Sequence, residues 1–200
     1  MDENIIMIIN VNYDNVNKED FEPFMNRCYF ENVYIKIGKK QNKPKFIIDN
    51  RVPLSESHFL KKASAFFVDL LIKTNTTQIA TYGMGAATLL GSISVMTPFP
   101  ICTGIIRKRK KGSGRDRRIE GSLDDLKPVM IIDDLMNSGR SVKVGISALK
   151  DYGFSEKKIS IAVLMYFDWG KRNENLKIGK GKMPFHYAMR LSRKRKKKKS

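Results

Sequence analysis

Val129-Met130-Ile131-Ile132-Asp133-Asp134-Leu135-Met136-Asn137-Ser138-Gly139-Arg140-Ser141 decides the fold of this chain. Its first four residues are apolar, as in a buried strand of a parallel sheet. Two adjacent carboxylates, Asp133 and Asp134, stand where that strand is expected to end. A short polar loop with Gly139 follows, and a helical pattern begins at Arg140. In an open α/β sheet, ligands bind outside the carboxyl ends of the strands. A loop entering a helix N-terminus offers unpaired N–H donors and the positive end of the helix dipole to an anion. Asn137, Ser138 and Ser141 add hydrogen-bonding side chains, Gly139 lets the backbone approach closely, and Arg140 adds a fixed cation. Carboxylates cannot favour the same anion, so Asp133 and Asp134 face something else, for which sugar hydroxyls are the natural donors. The same pattern also fits a solvated strand end before a capped helix.

Working outward, strands are expected at residues 5–11, 33–37, 46–48, 77–81, 100–106, 129–132 and 159–167. Ser55 is read as the N-cap of a helix reaching about Lys73. Phe59, Ala63, Phe66, Phe67, Leu70 and Leu71 mark its buried face. Further helices are expected over 86–96 and 140–152, the second ended by Gly153. Tyr82-Gly83-Met84-Gly85 is a turn between strand and helix. This alternation implies an α/β fold, a central parallel sheet flanked by helices with right-handed crossovers. Residues 107–121 are too long and polar for a mere connection and read as a mobile loop over a neighbouring strand end.

At 200 residues, 42% hydrophobic and 29% charged, the chain suits one globular domain with a substantial core. No apolar run reaches membrane-spanning length, and the acidic N-terminus lacks the basic region of a signal peptide. A cytoplasmic protein is therefore expected. Cys28 and Cys102 are far apart and without metal-ligand spacing, and both are read as small core residues. His58 and His186 are read as structural. The formal charge of +18 is concentrated in two places. Arg107 to Lys111 are five consecutive cations, and Arg193 to Lys199 are seven. The first group can neutralise a phosphorylated substrate, and the tail is a candidate contact for nucleic acid.

Together these residues resemble the type I phosphoribosyltransferases, and within them the orotate phosphoribosyltransferases, over about Val33 to Asp168. The acid-pair segment resembles that family's motif for 5-phosphoribosyl 1-diphosphate (PRPP). The resemblance implies that Asp133 and Asp134 hold the ribose hydroxyls, while Leu135, Met136 and the loop Asn137-Ser138-Gly139-Arg140-Ser141 surround the 5-phosphate. Arg107-Lys108-Arg109-Lys110-Lys111-Gly112-Ser113-Gly114 with Ile119-Glu120-Gly121 is similar to the family's mobile catalytic loop. By that likeness Arg107, Lys108 and Lys111 neutralise the diphosphate, and Lys111 carries the catalytic lysine role. Val33-Tyr34-Ile35-Lys36-Ile37-Gly38, with Pro44 and Asp49-Asn50-Arg51, is similar to the family's N-terminal segment, so Lys36 would also touch the diphosphate. Tyr82-Gly83 falls where the family places its diphosphate loop.

The resemblance further implies a homodimer, with the loop closing over the neighbouring subunit, and Mg²⁺ held mainly by PRPP rather than by protein ligands. Asn137 and Trp169 are the candidates for touching the base, and Trp169 fits a core-filling role equally well. The chain departs from the family at Gly83, Ser113, Asn137, Arg140 and Trp169, which leaves the accepting base open. The expected organisation is a small N-terminal hood at 1–54, a PRPP-binding core at 55–190 and a disordered basic tail at 191–200. The expected activity is transfer of ribose 5-phosphate from PRPP to a nitrogenous base of the orotate type, a pyrimidine, with release of diphosphate. The alternative is a PRPP- or nucleotide-sensing module that binds nucleic acid or a protein partner through its basic surface.

Overall fold

The computed structural model describes residues 7–11, 18–31, 35–37, 40–42, 46–107, 118–168 and 183–193. In chain order the elements are β1 (Met7–Val11), α1 (Lys18–Cys28), β2 (Tyr29–Glu31), β3 (Ile35–Ile37), β4 (Lys40–Asn42), β5 (Phe46–Ile48), α2 (Arg51–Leu54) and α3 (Ser57–Thr74). They continue as β6 (Gln78–Tyr82), α4 (Ala87–Met96), β7 (Cys102–Ile106), β8 (Ile119–Gly121), β9 (Val129–Met136), α5 (Arg140–Tyr152), β10 (Ile159–Asp168) and β11 (Phe185–Arg193). Seven strands form one sheet in the order β1-β11-β10-β9-β6-β7-β8. The five inner strands are parallel, and the edge strands β1 and β8 run antiparallel to their neighbours. The expected parallel sheet is thus bordered by two reversed strands. Two small hairpin-like pairs, β2–β5 and β3–β4, stand apart from it. Among the described residues no helix is long and apolar enough to cross a membrane.

The apolar patterning produces two cores, one on each sheet face. One is built on α3 and α4 against Met130, Ile132, Ala162 and Leu164. The other packs Val142, Ala148 and Leu149 of α5 against Val129, Ile131, Ile161 and Val163. Every apolar position expected on the buried face of α3 is buried. That helix ends where Asn75 adopts a left-handed conformation, with its N–H and that of Thr76 closing onto Ile72 O and Leu71 O.

Several expectations need correction. Ser55 does not cap the long helix. It ends the one-turn α2, its hydroxyl donates to Val52 O at 2.6 Å, and Glu56 takes the N-cap position of α3. The strand at 129–132 continues to Met136, because Asp133, Leu135 and Met136 pair with Val163, Met165 and Tyr166 of β10. Four strands were absent from the sequence reading, β2 and β4 in the small pairs and β8 and β11 in the main sheet. β8 pairs with β7, and β11 fills the sheet between β10 and β1. Residues 191–193 therefore belong to a strand rather than to the tail, and β1 belongs to the main sheet rather than to the hood. Cys28 is buried and its thiol is pushed up to about 12 by burial, but Cys102, at the start of β7, is exposed and not core.

The 107–121 loop is closed at its base. Arg107 N–H donates to Arg118 O at 2.8 Å, and Gly104 faces Gly121 across the β7–β8 ladder. Gly121 has φ +122°, and a Cβ there would run into the carbonyl of Thr103. Both facts require glycine. Gly121→Ala is expected to destabilise the fold by about 2 kcal/mol or more, lowering the melting temperature by roughly 5 °C in thermal denaturation.

Candidate functional site

The sheet switches direction between β6 and β9. From β6 the chain proceeds through α4 to β7 on one side; from β9 it proceeds through α5 to β10 on the other. The two helices lie on opposite faces, so a crevice opens between the carboxyl ends of these two strands. The β6 ladder to β9 stops at Thr81–Ile132. Beyond it β6 ends at Tyr82 and turns away through Gly83, whose φ is +72°. Asp133 to Met136 are left paired to β10 alone, and the acid pair lies on the vacated side.

The resulting cavity, about 380 Å³, is lined by Ile47, Ile48 and Asp49-Asn50-Arg51 from the N-terminal segment and by Tyr82 and Gly85 after β6. Asp133, Asp134, Leu135 and Ser141 complete it. Asp133 is 9% exposed, and Asp134 is half-buried. Burial, and then the charge of Asp134, pushes the Asp133 carboxyl well above the usual carboxylate range. Burial raises Asp134 too, opposed by its hydrogen bonds. Among these contacts the Asp134 N–H donates to Asp133 Oδ1 at 3.0 Å. Two desolvated carboxylates side by side favour a ligand that brings hydrogen-bond donors, which would replace the lost water.

Asn50 is one of several lining residues that the sequence reading did not place in the site. It is 1% exposed, and its Nδ2 donates to Asp134 O at 2.8 Å. Its Oδ1 is buried without a partner. Beside it, Arg51 grips Asp49 through Nε at 2.7 Å and Nη2 at 2.6 Å and holds the Asp49 carboxyl below the usual range. Gly85 was also missed. A Cβ there would lie 3.4 Å from Asp134 Oδ1, so glycine leaves room for the acid. The signal available for Asn50 was the pattern itself: Phe46-Ile47-Ile48 followed by polar Asp49-Asn50 repeats the apolar-strand-then-acid theme of Ile131 to Asp134.

Of the residues expected here, Asp133, Asp134, Leu135, Ser141 and Tyr82 come together around the cavity. Met136 does not; it is 2% exposed and packed in the core on the α5 side, so its side chain cannot meet a ligand. Gly83 serves the turn, its N–H donating to Ile106 O at 2.9 Å. Arg107 is paired with Glu120 at 2.8 Å at the loop base rather than lining the cavity. Asn137 is exposed, while Ser138 and Arg140 lie on the outer side of α5. Gly139 is the N-cap of α5 with φ 65°, and no side chain bonds to the cap position. Glycine supplies no side-chain oxygen to the first-turn N–H groups of α5. Lys36 sits in β3, in the separate β3–β4 pair. Lys108, Lys111 and Trp169 lie outside the described residues. Among the described residues no group of three or more His, Cys, Asp or Glu could hold a metal ion alone.

No family model matches the chain. An orotate phosphoribosyltransferase of Haloquadratum walsbyi is 26% identical over 118 residues, which are 59% of this chain and 62% of that protein. One from Aquifex aeolicus is 30% identical over 100 residues, 50% of this chain and 52% of that protein. The chain thus spans roughly half to two thirds of the length of these relatives. Among solved structures, the Mycobacterium tuberculosis orotate phosphoribosyltransferase superposes with a TM-score of 0.68 at 17% identity, covering 84% of this chain and 93% of that one. The same enzyme in complex with PRPP gives a TM-score of 0.58 at 18% identity over 70% of this chain and 78% of that one. This chain has the type I phosphoribosyltransferase fold and is a sequence relative of the orotate phosphoribosyltransferases.

Proposed function

We propose that the chain transfers ribose 5-phosphate from PRPP to a nitrogenous base of the orotate type and releases diphosphate. The observation that carries this reading is the buried acid pair facing a cavity whose other wall is the uncapped N-terminus of α5. Asp133 and Asp134 would accept hydrogen bonds from the two ribose hydroxyls, which offsets their desolvation. The backbone N–H groups of residues 139–141, with the Ser141 hydroxyl, would hold the 5-phosphate through the helix dipole. Asn50, tied to the Asp134 carbonyl, would fix that strand end while the ligand binds.

With both ends of the sugar phosphate held, C1 is presented to the base, and positioning lowers the barrier. The bond from C1 to the diphosphate oxygen breaks as the base nitrogen bonds to C1. Lys36, Arg107, Lys108 and Lys111 would carry the charge that accumulates on the leaving diphosphate. Mg²⁺, held mainly by the oxygens of PRPP itself, would share that charge when bound. Asn137 and Trp169 remain the candidates for the base, and a cytoplasmic homodimer is part of the same reading. The names of the relatives favour a transferase over a sensing module.

Four measurements test this. PRPP and Mg²⁺ incubated with orotate, uracil, purines or no base should release diphosphate fastest with orotate; no release with any base removes the transferase reading. Asp133→Asn with Asp134→Asn should lower PRPP affinity about 100-fold or more by calorimetry. The same variant should be more stable than the parent at neutral pH. A raised folded-state carboxyl means that the native protein holds more protons than the unfolded chain above the ordinary value of 3.8. Stability contributed by the protonated form is complete below that value and lost as pH rises through the raised one. Melting curves of the parent should therefore show a decline with rising pH that is smaller in the double variant. Lys111→Ala should reduce kcat about 100-fold and PRPP affinity much less, since its charge partner develops only as diphosphate leaves.

A further inference from the structure

Asn50 buries a side-chain oxygen, Oδ1, that has no hydrogen-bond partner among the described residues. The residue is 1% exposed and lines the acid-pair cavity. It is anchored from both sides. The neighbouring Asp49 N–H donates to Cys28 O at 2.9 Å, which ties the end of β5 to the end of α1. Across the cavity the Asn50 Nδ2 donates to Asp134 O at 2.8 Å. A carbonyl only accepts, so the NH₂ must face it and the oxygen is the half of the amide left over.

The ordinary roles of an asparagine at this position do not use that oxygen. Asn50 stands at the N-cap of α2, where asparagine commonly accepts from first-turn N–H groups, yet no side-chain cap bond forms. Holding the Asp134 carbonyl needs only the donor half of the amide. A buried acceptor without a partner is costly, and folded proteins keep few of them. The cost disappears when a group entering the cavity donates to it. An ionised phosphate or carboxylate offers only acceptors, so that group is a hydroxyl or an N–H. The acid pair makes the same demand, since two desolvated carboxylates favour donors. Asp133, Asp134 and Asn50 thus form one cluster of acceptors where the ladder from β9 to β6 has stopped. Glycine at position 85 keeps the space beside Asp134 Oδ1 open. Because Asn50 is tied to Asp134, the donor it meets is the one the acids meet.

We propose that Asn50 is a specificity residue of this cavity: its Oδ1 accepts a hydrogen bond from one of the two ribose hydroxyls of the bound sugar phosphate. The assignment rests on the reading of the cavity as a PRPP site. Two hydroxyls then face three acceptor side chains, so one hydroxyl proton is shared between a carboxylate and the amide oxygen as a three-centre bond. A sugar lacking that hydroxyl leaves Oδ1 unpaired again. Asn50 therefore adds to the preference for ribose at one ring position and not at the other. Being uncharged, it does so without placing a third negative charge beside the acid pair.

The test uses the full chain with ribose 5-phosphate and its two analogues lacking either the 2- or the 3-hydroxyl, and binding is measured by calorimetry. Asn50→Ala removes Oδ1 and leaves space for water to reach the Asp134 carbonyl. It should lower the preference for ribose 5-phosphate about fivefold against one analogue and leave the preference against the other within about twofold. A second measurement needs no variant to fold. In isotope-labelled parent protein, the Asn50 side-chain amide nitrogen signal should shift with ribose 5-phosphate and one analogue, and stay near its free position with the other. Both preferences unchanged in Asn50→Ala, or both lowered together, would overturn the proposal and leave Asn50 only its hold on the strand end. An amide signal that moves alike with all three ligands overturns it, as does a parent that binds none of them. Diphosphate release with unchanged preferences removes the Asn50 assignment alone. A one-sided loss of preference without diphosphate release supports that assignment and counts against the transferase reading alone.

Discussion

Two adjacent carboxylates must be kept charged-capable and nearly dry at the end of a central strand, and the rest of the site is arranged around that requirement. A central strand of a parallel sheet normally has ladder partners on both sides. β9 loses one of them after Ile132, because β6 ends and turns at Gly83. The vacated side creates the crevice, but it also leaves β9 backbone without a β6 neighbour. Asn50 compensates for part of this. Its side-chain amide takes the Asp134 carbonyl, a contact across 84 residues of sequence. One hydrogen bond thus joins the N-terminal segment to the acid pair, and removing its donor would leave a buried carbonyl unpaired at a cost of about 1–3 kcal/mol.

The acid-pair segment was legible because its information is local. Apolar strand, acids, glycine-bearing loop and amphipathic helix follow one another within a few residues, and α5 forms where the pattern puts it. The extension of β9 through Met136 was not legible, since carboxylates disfavour strands and only the ladder to β10 holds them there. β8, three residues long, is too short to announce itself. β11 is different. Phe185, Tyr187, Met189 and Leu191 alternate with His186, Ala188, Arg190 and Ser192, a period-two signal overshadowed by the basic run that follows.

Asn50 and Gln78 share a second kind of illegibility. Each is polar, nearly fully buried and hydrogen-bonded to backbone far away in sequence. Gln78 Nε2 donates to Asp124 O at 2.9 Å, and its Oε1 accepts from Asp124 N–H at 2.7 Å, which pins the loop leading into β9. No periodicity marks such residues, because their partners are set by tertiary approach. Polar side chains at strand ends therefore deserve to be read twice, once as solvated termini and once as brackets for distant backbone.

The two walls of the cavity have opposite electrical character. On one side lie carboxylates whose burial already raises their proton affinity; on the other lies the positive end of α5. A simple cation would be drawn to the acids but repelled by the helix, and a simple anion would meet the reverse. Only a ligand that donates hydrogen bonds at one end and carries negative charge at the other is favoured by both walls together. A phosphorylated sugar has that polarity built into its covalent structure. Neither wall specifies what attacks the sugar. In the proposed reaction the acids and the helix end would select the sugar-phosphate donor, while selection of the acceptor would fall to residues outside this pair of walls.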